Sequence, residues 1–101
     1  MNLKHLLTTI LFTITLLGFA QTATVKGVIL DDNNTPILGV NIKAGAEGTQ
    51  TNENGFYLLK IPANQDITIE FTHVTFKKIV STFNLKNGEE YEFNPVMNTS
   101  I

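Results

Sequence analysis

The sequence predicts an all-β domain built as two antiparallel sheets packed face to face, and three observations predict it. Short β-rich runs alternate with turn-forming clusters from residue 24 to residue 98. Within that stretch apolar residues nowhere sustain the three-to-four spacing of an amphipathic helix. No segment is left over for the crossover helices that a parallel sheet requires.

The elements follow in order. Thr24 to Leu30 reads as a first strand, ended by Asp31-Asp32-Asn33-Asn34-Thr35-Pro36, residues whose side chains bond their own backbone in turns. Gly39 to Ala44 is a second strand, with Val40 and Ile42 on one face. Gly45 and Gly48 loosen the chain before a short Thr49-Gln50-Thr51. Asn52-Glu53-Asn54-Gly55 is then a tight turn, because Asn-Gly supplies the positive φ angles of a hairpin connection.

Phe56 to Ile61 places Tyr57, Leu59 and Ile61 on one face, and Pro62 ends the strand by removing a ladder donor. Ile67, Ile69 and Phe71 alternate with Asp66, Thr68 and Glu70, the pattern of a strand with one dry and one wet face. Phe76 to Phe83 carries Lys77 and Lys78, which suits an edge strand. Asn87-Gly88 turns the chain into Glu89 to Met97, with Tyr91 and Phe93 expected to face inward. About seven strands result, and an immunoglobulin-like sandwich is the topology they suggest.

Residues 1–20 stand apart. Lys4 gives a positive start, Leu6 to Leu17 is an apolar run diluted by threonines, and Gly18-Phe19-Ala20 supplies small residues for cleavage. The segment is expected to be a signal peptide, leaving residues 21–101 as one exported domain. No cysteine follows the cut before Gln21, so lipid attachment there is chemically impossible. The chain has no cysteine anywhere, and a fold without disulfides must rest on apolar burial. It also has no arginine and a net charge of -2, which argues against nucleic acid as a partner.

Three stretches carry a resemblance to a known family. They are Val25-Lys26-Gly27-Val28-Ile29 running through Asp31 into Pro36-Ile37-Leu38-Gly39-Val40-Asn41-Ile42, then Thr51-Asn52-Glu53-Asn54-Gly55-Phe56-Tyr57, then Phe71-Thr72-His73-Val74-Thr75-Phe76. In this order and spacing they resemble the carboxypeptidase regulatory-like domain, a transthyretin-like seven-stranded sandwich. Asn52 stands where that family usually has Asp, and Thr75 where it usually has Gly.

The resemblance implies an accessory domain without catalysis, of the kind found at the N-terminus of TonB-dependent outer-membrane receptors. It implies a periplasmic, outer-membrane-associated or secreted location. The partner it implies is a receptor barrel or another periplasmic protein, with no membrane insertion of the mature chain itself. On that reading the sequence is either a stand-alone module or the N-terminal piece of a receptor. The alternative is a free-standing binder of a small ligand or carbohydrate.

The residues that could carry chemistry are few. The zinc peptidases to which such domains are attached use a His-x-x-Glu pair, and here Phe76 stands where His73 would need its Glu. Ser81 and Ser100 have no base to activate them other than His73. Asp31, Asp32 and Asn33 with Asn52, Glu53 and Asn54 could offer oxygens to calcium, but Asx residues fill turns for local reasons. Glu89, Glu90 and Glu92 read as a solvated strand end. Tyr57, Tyr91 and Phe93 could form a sugar platform, although inward packing suits their period-two spacing better. The expectation is no catalytic, metal or cofactor-binding residue and no cofactor.

Overall fold

A computed structural model describes residues 21–100. The expected signal peptide over residues 1–20 therefore lies outside the described residues. Nine strands follow one another: β1 (Thr22–Val28), β2 (Leu30–Asp31), β3 (Asn41–Ala44), β4 (Glu47–Gln50), β5 (Phe56–Pro62), β6 (Ile67–His73), β7 (Phe76–Phe83), β8 (Glu90–Glu92) and β9 (Val96–Met97). They form a three-stranded sheet in the order β5-β1-β8, a four-stranded sheet in the order β4-β3-β6-β7, and a small β2-β9 ribbon at one end. No helix occurs among the described residues.

Alternation drives the packing. In β5, Tyr57, Leu59 and Ile61 are buried while Phe56, Leu58 and Lys60 face out, and in β6 Ile69 and Phe71 are fully buried. With Val25, Val40, Ile42 and Met97 these side chains fill the space between the sheets. Burial of each such aliphatic or aromatic group contributes about 1.5–3 kcal/mol. Tyr57 meets Phe71 edge-on at 5.7 Å, and the row continues through Phe93 to Phe83.

The sandwich is as expected, but its C-terminal third runs differently from the sequence reading. The stretch Glu89 to Met97 is two strands, and both pair in parallel, β8 with β1 and β9 with β2. After β7 the chain crosses to the other sheet and arrives at the beginning of β1. There Gly88 N–H donates to Thr22 O at 2.8 Å and Thr22 N–H donates to Asn87 Oδ1 at 3.2 Å. From that point it can only follow β1 in the same direction.

The break between β8 and β9 has a local cause. Phe93 N–H donates to Lys26 O and Asn94 Oδ1 accepts the Val28 N–H, both at 2.8 Å. Pro95 has no donor with which to continue a ladder. This crossing needs a glycine beneath it: a Cβ on Gly27 would lie 1.9 Å from Phe93 O.

Tyr91 is the second correction. Its partner in register is Val25, which is fully buried, yet Tyr91 is 43% exposed. It points to the inner side, where its ring meets Phe83 edge-on at 5.5 Å, but β8 is a three-residue strand at the edge of its sheet and leaves the ring part-open.

Candidate interaction surface

The residues that the sequence offered for chemistry do not assemble. Asp31 Oδ1 accepts the N–H groups of Asn33 and Thr35, and Asn52 Oδ1 accepts those of Asn54 and Phe56. Each therefore closes its own turn rather than facing a shared cation. Among the described residues no three His, Asp or Glu side chains come together as a metal site. Asn52 in place of Asp does the same capping job without the charge.

His73 Nδ1 accepts the Thr75 N–H at 3.1 Å, and its ring meets Phe76 edge-on at 5.2 Å. It thereby holds the β6–β7 turn. Ser100 Oγ donates to Thr75 O at 3.3 Å. Tyr57 is buried and donates its hydroxyl to Phe93 O at 2.7 Å, and its burial pushes the phenol well above the ordinary tyrosine range. Tyr57 and Phe93 are thus structural, and with Tyr91 on the inner side no sugar platform forms from the three.

The sequence reading missed Thr51, the single buried polar side chain among the described residues. Its Oγ1 accepts the Val40 N–H at 2.9 Å and donates to Ile37 O at 2.6 Å. It ties the Ile37–Val40 loop to the turn that starts β5; because β4 and β5 belong to different sheets, that turn is a crossing and not the expected hairpin, and Gly55 alone of the Asn54-Gly55 pair takes a positive φ.

What remains is the outward side of the three-stranded sheet. Two register pairs place Leu58 beside Lys26 and Phe56 beside Val28, and β1 leads on to Leu30, whose partner is Val96. Val28, Phe56, Leu58 and Val96 are 37–51% exposed, and Leu30 is half-buried. Together they make an apolar stripe over β5 and β1 of that sheet and on to the β2–β9 ribbon at its end. Lys26 and Glu90, 3.2 Å apart, border it at one end, and Glu92 lies beside them.

The outward side of the other sheet is its opposite in character. Gln50 bonds Asn41 at 2.6 Å, Thr68 meets Thr82 at 3.0 Å and Lys78 pairs with Glu70 at 3.2 Å, leaving Val80 as the exposed apolar side chain among them. A strand that is apolar on both faces has a use for both. The signal was present in Phe56-Tyr57-Leu58-Leu59 and Val28-Ile29-Leu30, where the polar half of the alternation is missing.

Comparison with known proteins places the chain. A family model described as the CarboxypepD_reg-like domain matches residues 25–101. No curated protein matches the chain. Among solved structures, the TIE protein of Bacillus anthracis superposes with a TM-score of 0.64 at 12% identity, over 78% of this chain and 17% of that one. The 3-chlorocatechol 1,2-dioxygenase of Rhodococcus opacus 1CP gives 0.61 at 9% identity, over 78% and 60%. A type II cohesin–X-dockerin complex from Acetivibrio cellulolyticus gives 0.58 at 20% identity, over 74% and 56%. The chain spans 60% or less of each of these, and at such identities the likeness is one of fold.

Proposed function

The chain belongs to the CarboxypepD_reg-like domain family, and on that premise we propose that it is an exported, non-catalytic accessory domain that docks a protein partner. The partner is an outer-membrane receptor barrel or a periplasmic protein of the same assembly, as for domains of this family that precede TonB-dependent receptors. The observation that carries the reading is the apolar stripe of Leu58, Phe56, Val28, Leu30 and Val96 on a sheet that already has a complete core behind it. Neighbouring exposed apolar side chains of this kind suit an interaction surface. The polar groups that could do chemistry are, by contrast, spent on turns and loop ties.

The export half of the proposal rests on residues 1–20, where a positive start, an apolar run and small residues follow in order. Translating the genomic DNA past the codon for Ile101 in all three forward frames tests the receptor assignment. A plug and barrel in any frame is the expected result, and ordinary intergenic sequence would count against it.

A further inference from the structure

Four strands end the two sheets, and three of them are guarded. Beside β7 the C-terminal segment pairs through Lys77 N–H to Asn98 O at 2.7 Å and a Phe76–Thr99 bridge, and Lys77 and Lys78 stand on the strand. On β5 the backbone groups of Phe56 are held by Asn52, Lys60 is exposed, and Pro62 has no donor. The short β8 carries Glu90 and Glu92. Such charges, prolines and covering segments are how edges avoid pairing with another chain.

β4 has none of these beyond Glu47 at its start. Thr51 N–H bonds Val40 O, so with the register Ile42–Thr49 and Ala44–Glu47 the odd positions turn their backbone groups toward β3. Gly48 and Gln50 turn theirs outward, and neither has another backbone partner among the described residues. Gly48 also leaves a notch on the outer face. A Cβ built there would be 3.3 Å from Ile42 O and 3.7 Å from Lys43 Cγ, so the lysine stem lies against the glycine, between Gly48 on β4 and Glu70 on β6. Lys43 makes no ion pair among the described residues.

We propose that the β4 edge accepts an extended peptide strand carrying an acidic side chain opposite Gly48, where it meets the Lys43 ammonium. The added strand would extend the four-stranded sheet to five, with affinity from main-chain bonds to Gly48 and Gln50 and selectivity from Lys43. The proposal is independent of the apolar stripe, which lies on the other sheet.

The test uses 15N-labelled protein and a panel of ten-residue peptides of alternating threonine and valine, with Glu, Gln or Lys at the central outward position. Amide shifts confined to Glu47–Gln50, protection of the Gly48 and Gln50 amides from exchange, and an affinity order Glu, Gln, Lys spanning about threefold to tenfold are expected. Lys43→Glu should reverse that order. Gly48→Pro removes an outward N–H while leaving the β3–β4 bonds intact, and should abolish binding. Gly48→Glu keeps the outward N–H but sets a carboxylate against the acidic side chain, and should weaken the Glu peptide most, which keeps the proposal testable if the proline variant folds poorly. No shifts at Gly48 and Gln50 with millimolar peptide, shifts at Val28 and Leu58 instead, or an order unchanged by Lys43→Glu would each overturn the proposal.

Discussion

Substituting Gly27 by Ala tests how the C-terminal segment is held. The added Cβ would sit 1.9 Å from Phe93 O and 2.7 Å from Asn94 Oδ1 and Phe93 C. An ordinary contact begins at 3.4 Å, so the crossing must lift by about 1.5 Å. The obstacle is backbone, and no rotamer change relieves it. A shift of that size loses the Phe93–Lys26, Val28–Asn94 and Tyr57–Phe93 hydrogen bonds. At about 1 kcal/mol each, with some loss of packing around the half-buried Phe93, the expected cost is about 3–5 kcal/mol.

Urea unfolding followed by circular dichroism measures it, and exchange at the Val28 and Phe93 amides reports the crossing itself. Gly88→Ala is the control. Gly88 has φ +78° with nothing within 4 Å of a new Cβ, so it should cost only the roughly 1–2 kcal/mol of a left-handed alanine. A Gly27→Ala cost below that of Gly88→Ala would refute the reasoning.

Three further outcomes follow from the geometry. Thr51→Val should destabilise by about 2–3 kcal/mol in the same unfolding assay, because it strands the Val40 N–H and Ile37 O inside, whereas Thr51→Ser should recover most of the loss. Tyr57→Phe should cost about 1–1.5 kcal/mol through the lost bond to Phe93 O. The folded-state pKa of Tyr57 is raised above its unfolded value of about 10, so its contribution is complete below that pH and is lost as pH rises; alkaline melts should show stability falling above about pH 10, less so in Tyr57→Phe. Phe56→Thr with Leu58→Thr should leave stability within about 1 kcal/mol, since both side chains face outward, and should reduce binding of a hydrophobic dye.

The strands whose inner face is strictly apolar and outer face polar were legible from the sequence. Ile67, Ile69 and Phe71 fell where alternation put them, Asp31 and Asn52 capped their own turns, and Gly55 took a positive φ, although Asn54 did not and the turn crosses between sheets. What escaped depends on distant parts of the chain. That Gly27 must be bare is set by Phe93 and Asn94 passing over it, and the parallel course of β8 follows from where the crossing from β7 lands. Tyr91 has the right parity for the core but lacks a neighbouring strand to cover it. Thr51 looked like one more polar residue in a turn, because nothing local reveals that its hydroxyl bridges two buried backbone groups. The apolar stripe was half visible: missing polar alternation marked the strands, but which residues face out depends on the sandwich being assembled.

The most direct test of the docking role is site-specific photo-crosslinking in the native cell, with the reactive group at Leu58 and, for comparison, at Thr82 on the polar sheet. An adduct with an outer-membrane barrel or a periplasmic protein of its assembly, formed from Leu58 and not from Thr82, is the predicted result. No adduct from Leu58, or equal adducts from both positions, would contradict a docking surface on the three-stranded sheet.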